Sequence, residues 1–370
     1  MRRSLASCAA LLLLLSCQVE PELRLHKDHQ VRIDLELDGM DLDSYWNYGD
    51  YDWHSEWLYG WDMDDRRLFG PLDYAVPETF NLRRYLLSDD GKGVHTDVKP
   101  DYMKGRSHMC TFRGGSYDLL AWNDIVTLDG VQSLVFDERS SLQQVTATTN
   151  LTKVKVKNQY PGTKSGYASH MPEILYSGMR KDVSFSEPED SCMTGVWVHP
   201  VSLVLRPVTY IYLTQVILRN NWGRVQGVDG GANLTGMAAG VNLNTGMNGG
   251  EAVAVHFPVR FKKGAGDRED MVGGRLVTFG LCETCPDRVT KADEVPPSLR
   301  NYLEIDMYFA NGCDSTFVFD VTDRVRRLYK GGVITVELDV DGIRMPTRPG
   351  GSAFDAVVKD PDDSFVEIDM

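Results

Sequence analysis

The dominant period along this chain is two. Val31, Ile33, Leu35 and Leu37 alternate with Arg32, Asp34, Glu36 and Asp38, the pattern of a strand with one buried and one wet face. Similar short runs recur at 80–87, 116–122, 202–205, 208–218, 252–261, 276–281, 303–309, 317–321, 333–340 and 365–370. Clusters of Gly, Pro, Asn and Asp separate them, as turns require. Helical spacing is confined to 323–329 and 140–144. Many short strands divided by turn signals, with scant helix, predict an all-β chain of β-sandwiches.

Three stretches depart from the alternation. Residues 44–62 hold eight aromatic rings in nineteen positions, interleaved with Asp, Glu, Gly and Asn. Trp57, Tyr59 and Trp61 alternate with Leu58 and Gly60, as do Tyr51 and Trp53 about Asp52, which predicts strand faces. Rings this large either cap the end of a sandwich or form an outer patch where Trp53, Trp57 and Trp61 stack on sugars. Residues 149–166 are polar and turn-rich, predicting a linker or, better, a long loop. The nine glycines of 223–250 lack a Lys after GxxxxG and a helix after GxGxxG. They predict tight turns and bulges rather than a phosphate cradle.

The chain opens with MRRSLASCAALLLLLSC. Arg2 and Arg3, then an apolar run too short to span a bilayer, read as an export signal. Its Leu-x-Ser-Cys close looks like a bacterial lipobox, which implies cleavage before Cys17 and acylation of that residue, a stable membrane anchor. Residues 1–16 are then the signal peptide and 17–30 a lipidated tether that holds His26 and His29. The thirteen residues between Cys17 and Val31 reach at most roughly 45 Å.

Losing Arg2 and Arg3 takes the formal charge from −14 to −16, which argues against nucleic acid as a partner. About 350 mature residues favour two domains, placed at 31–185 and 186–370. Five cysteines besides Cys17 remain: Cys110, Cys192, Cys282, Cys285 and Cys313. An exported compartment permits disulfides, but the odd count leaves one unpaired and the pairing open. Cys282-Glu-Thr-Cys285 lacks the further ligands that zinc needs. The eight histidines have no spaced partners, and no GxSxG or HExxH occurs. No catalytic residue, metal ligand or cofactor site is assigned, and the reading is non-enzymatic.

Taken in order, GGSYDLLAWNDI (114–125), MPEILYSG (171–178), LTGMAAGVNLNTG (234–246), RLVTFG (275–280) and FDVTDRV leading into GGVITVELDVDGIRMP resemble the fimbrillin-like surface lipoproteins. These are anchor, accessory and related subunits of the type V pilus. The resemblance covers nearly all of the mature chain. It implies two tandem β-sandwiches of transthyretin-like, Greek-key topology, display at the outer membrane through a lipid, and pilin partners joined by strand addition. In polymerising members a cut after an Arg frees the first strand, whereas anchor members keep it. Here Arg32 lies within the first strand, so the resemblance implies an anchor or accessory subunit that retains Val31, Ile33, Leu35 and Leu37. Phe365–Met370 alternates and ends the chain. Its Val366 and Ile368 are candidates for a donated strand, the alternative being a last strand folded onto its own sheet. The rival function is a glycan-binding surface lipoprotein using Trp53, Trp57 and Trp61.

Overall fold

The computed structural model describes residues 28–39, 52–58, 60–87, 93–95, 101–125, 132–138, 142–157, 166–185, 198–264, 269–282, 292–346 and 356–357. The signal peptide, Cys17 and the 365–370 strand with Val366 and Ile368 lie outside them, as do Cys192 and Cys285.

The chain first lays down strands β1 (His29–Leu37), β2 (Thr79–Leu87), β3 (Gly93–His95), β4 (Asp101–Lys104), β5 (Ser107–Phe112) and β6 (Gly115–Asn123). Next come β7 (Leu134–Asp137), β8 (Thr146–Thr149), β9 (Leu151–Lys155), β10 (Tyr167–His170), β11 (Tyr176–Phe185) and β12 (Val198–Pro207). Then follow β13 (Tyr210–Arg219), β14 (Val225–Asn242), β15 (Asn248–Phe257), β16 (Arg260–Lys262) and β17 (Asp270–Thr278). The series closes with β18 (Tyr302–Phe309), β19 (Asp314–Asp320), β20 (Gly332–Asp339) and β21 (Ala356–Val357). Among the described residues three short α-helices accompany them, α1 (Trp53–Glu56), α2 (Met63–Phe69) and α3 (Thr322–Arg327). The chain is all-β with short helices, and α3 falls where helical spacing placed one.

Among the described residues these strands form three sheets. An eight-stranded sheet runs β3-β2-β6-β11-β12-β1-β5 with β4 also on β2. A four-stranded sheet runs β16-β17-β13-β20. A nine-stranded sheet runs β21-β19-β18-β14-β15-β10-β9, with β8 on β14 and β7 on β8.

The four-stranded sheet is the middle layer, and strand alternation explains why. Tyr212, Val216 and Leu218 of β13 face one core, with Val272 and Leu276 of β17 and Phe257, Leu303, Ile305 and Phe317 of the nine-stranded sheet. Ile211 and Leu213 face a second core, with Val277, Val333 and the inner residues Val31, Ile33, Phe80 and Leu119 of the eight-stranded sheet. A strand buried on both faces reads as a continuous apolar run, and YIYLTQVILR does so. A third cluster, with Tyr85, Trp122, Val145, Val241 and Phe279, covers the far side of β2 and β6.

The division near residue 185 is crossed twice by the hydrogen-bonded sheets. β7 to β10 join the nine-stranded sheet, whereas β12 enters the eight-stranded one. The alternation of Val201, Leu203 and Leu205 lets β12 fill the space between β11 and β1. The polar stretch 149–166 also differs from the loop reading. Residues 151–155 form edge strand β9 against β10, where Lys153 and Lys155 suit an unpaired edge. Most of the Gly-rich run is one long strand, β14, whose register shifts at bulges on both sides, followed by the turn at 243–247 and the start of β15. Gly236 sits at a bulge with φ 73°, a conformation that side-chain-bearing residues rarely adopt.

Candidate functional site

Strand β1 is an interior strand. It runs parallel to β12, Gln30–Leu37 opposite Val198–Leu205, and antiparallel to β5, His29–Asp34 opposite Phe112–Ser107. Val31, Ile33 and Leu35 are buried and Leu37 half-buried. Its wet face is tied to both neighbours. The Ser107 hydroxyl donates to Asp34 at 2.7 Å and holds that carboxyl below its ordinary pKa. Ser202 donates to Glu36 at 2.6 Å, and Arg206 Nε to Asp38 at 3.0 Å. His29, read from sequence as tether, already belongs to the strand. It is buried, with its ring centroid 5.4 Å from His199 and 6.1 Å from Phe185.

The described part of the aromatic segment, 52–58 and 60–62, folds as a clasp between the eight-stranded and central sheets. The strand expectation is corrected here for Trp53, Trp57 and Trp61, while Tyr51 and Tyr59 lie outside the described residues. Asp52 accepts from the His54 amide and starts α1. Asp62 and Asp65 exchange side-chain and backbone bonds at 2.9 and 3.0 Å, a capping box that starts α2. These caps end any extended run between them.

Trp57 is 9% exposed and packs into the second core, with half-buried Trp53 and Trp61 against it. The Trp57 indole N–H donates to the Gly60 carbonyl at 2.9 Å and that of Trp61 to Gly70 at 3.2 Å. Trp61 lies 5.5 Å from Phe69, and Trp53 stacks 3.9 Å from His54. The structure thus gathers the three candidate stacking residues in one place, but buries the Trp57 ring and spends the indole N–H groups of Trp57 and Trp61 internally.

The central sheet holds the clasp with three polar side chains. Gln215 of β13, fully buried, donates to the Glu56 carbonyl at 2.6 Å and to Thr335 at 2.7 Å, and accepts from the Leu58 amide at 3.3 Å. Arg260 of β16 spans both oxygens of Asp62 at 3.0 and 2.9 Å. That fork holds the Asp62 carboxyl far below its ordinary pKa. The buried Lys262 ammonium donates to buried Asp65. Helix α1 meanwhile packs against β20, an outer strand of the central sheet, a standard way to cover an edge.

Sequence reasoning passed over these partners. The one available signal was Gln215, which with Thr214 interrupts the apolar run of β13. Arg260 and Lys262 lie about two hundred residues from Asp62 and Asp65 and carry no local mark. Cys110 and Cys313 are buried free thiols, and half-buried Cys282 donates to the Gly250 carbonyl at 3.6 Å. Burial pushes the Cys110 thiol up to about 11. Among the described residues no group of three or more His, Cys, Asp or Glu converges to hold a metal ion.

No protein-family model matches the sequence, and no curated protein matches it. Solved structures similar to this one include a candidate adhesin from Bacteroides ovatus, 15% identical, covering 88% of this chain and 95% of that one at a TM-score of 0.47. The fimbrial anchor protein Mfa2 from Porphyromonas gingivalis is 12% identical, covering 84% and 91% at 0.42. The tip fimbrial protein Mfa3 of the same organism, truncated at its C-terminus, is 9% identical, covering 79% and 82% at 0.31.

Proposed function

We propose that this chain is a non-enzymatic cell-surface lipoprotein, held at the outer membrane by acylated Cys17, that serves as an anchor or accessory subunit in fimbrial assembly or adhesion. The observation that supports this best is the seat of β1. A pull on a lipidated Cys17 enters the fold through β1, whose ladders to β12 and β5 then bear load in shear. Bonds loaded together resist better than bonds opened in turn. A retained and doubly paired first strand suits a subunit that holds on rather than one that exchanges its own strand.

Attachment to pilin neighbours is proposed to run by strand addition, with Phe365–Met370 donated and Val366 and Ile368 as its inward residues. The glycan-binding alternative draws little support from a Trp57 that is only 9% exposed.

Two variants test the reading. Cys17→Ala moves the protein from the membrane fraction to the soluble one, and retention in the membrane overturns the lipid assignment. Deleting residues 365–370 stops incorporation into a fibre while the protein still folds. Unchanged incorporation makes that segment an ordinary structural strand. Binding on a glycan array that is lost in the Trp53, Trp57 and Trp61 triple Ala variant would favour the alternative.

A further inference from the structure

A cavity of about 450 Å³ opens where the eight-stranded sheet, the central sheet and segment 171–174 meet, within the roughly 300–1,000 Å³ of small-ligand sites. Thr79 of β2, Asn123 of β6 and Asp124 line one side, and Arg275 and Val277 of β17 another. Much of the remaining wall is apolar, including Pro77, Met171 and Ile174.

Arg275 is the unusual member. The alternation of β17 turns it toward the eight-stranded sheet, on the face that also carries Met271 and Val277. It is 6% exposed, and its Nε has no hydrogen-bond partner. Burial lowers its pKa to about 10, against the opposing pull of Tyr74 and Asp73, so it is still a cation at neutral pH.

An unpartnered Nε is shared by buried Arg83, so what distinguishes Arg275 is the lack of an acceptor elsewhere on its guanidinium. Lys262 has Asp65, and Arg83 donates to the Glu138 carbonyl. A buried guanidinium left short of acceptors is costly and rare. Across the same cavity Glu173 is half-buried, and burial alone raises its pKa, with no cation offsetting it. Arg275 and Glu173 thus share one cavity without pairing. Glu78 and Asp124 add two further carboxylates at the rim, which makes the lining unfavourable for a plain anion.

We propose that this cavity binds a zwitterionic ligand of the amino-acid or short-peptide class. The ligand carboxylate meets Arg275, its ammonium meets Glu173, and its apolar side chain lies along Pro77, Met171, Ile174 and Val277. Such a ligand supplies the acceptor that Arg275 lacks and the donor that Glu173 lacks, in one molecule. The inference is independent of the fimbrial reading, since no sheet edge takes part.

The test is calorimetric titration of the mature full-length protein with L-leucine and leucyl-leucine. 4-Methylpentanoate, which keeps only the acid, and isoamylamine, which keeps only the amine, are the controls. At least one zwitterion binds saturably, about tenfold or more tighter than either control. Arg275→Met abolishes that binding. Glu173→Gln weakens the zwitterion by about tenfold and spares the weak binding of 4-methylpentanoate. If Arg275→Met fails to fold, the Glu173→Gln contrast decides alone, because that half-buried site tolerates the isosteric amide. Three results overturn the proposal: no saturable binding of either zwitterion at millimolar concentration, equal affinity for zwitterion and acid, or a Glu173→Gln protein that binds as the parent does.

Discussion

The clasp and the turn between β13 and β14 place tryptophan in opposite circumstances. Trp57 is 9% exposed between two sheets, whereas Trp222 is 81% exposed at the tip of its turn. The clasp is thick with rings and acids, yet its ends are capped and its charges met by Arg260 and Lys262 from another sheet. Trp222 follows Asn221, whose side chain bonds Val225 and Asp270 and so fixes the turn from within. The indole itself stands at φ 47°, where a side chain is strained. A ring's fate is therefore set by the distant groups that satisfy its neighbours, and local aromatic density does not foretell it.

The largest break in this comparison is Trp57→Ala. Removing a buried indole from a core it shares with Val31, Ile33 and Leu213 costs about 4 kcal/mol, read as a fall in the urea midpoint. A loss below about 1 kcal/mol, the size expected at a surface site, would mean that the clasp does not hold the two sheets together.

Lys262→Met comes next. It leaves Asp65 buried, with Arg260 at 3.4 Å as a remaining counter-charge, and costs about 3 kcal/mol. Acid probes the same linkage. The folded-state pKa of Asp62 is depressed by Arg260 below the ordinary 3.8. Its stabilisation is therefore present above that value and lost as pH falls below it. Tryptophan emission from the clasp reddens on acidification below about pH 4. In Arg260→Ala the change begins at higher pH and is smaller, and identical profiles would dissociate Asp62 from the clasp.

Much of the fold was legible because alternation is a local property. Val31 to Leu37 announces β1, and the runs at 80–87, 116–122 and 303–309 announce β2, β6 and β18. Assignment of strands to sheets was not legible. β12 carries an alternation like that of its neighbours in sequence, and only its fit between β11 and β1 sends it to the eight-stranded sheet. The clasp was misread for a different reason. Trp57 and Trp61 alternate as a strand does, but Asp52 and the Asp62–Asp65 box form caps, and local hydrogen bonding outweighed the period. Arg275 was invisible as a site residue, since the cavity beside it depends on Asn123 and Met171 arriving from elsewhere in the chain.

The smallest expected effect sharpens the contrast most. In Trp222→Gly the exposed indole has no core to vacate, and glycine adopts φ 47° without steric cost. The relief of strain is opposed by the greater backbone freedom of glycine in the unfolded chain. The net change in stability is therefore within about 0.5 kcal/mol of zero. Acrylamide quenching separates the two environments in the same experiment. The readily quenched share of the emission falls on substitution by the contribution of Trp222, the most exposed tryptophan among the described residues, while the protected emission that Trp57 and Trp122 supply stays. A destabilisation above about 1 kcal/mol would place Trp222 against a surface of this molecule after all. A parent-like quenching curve would show that another indole carries the exposed signal.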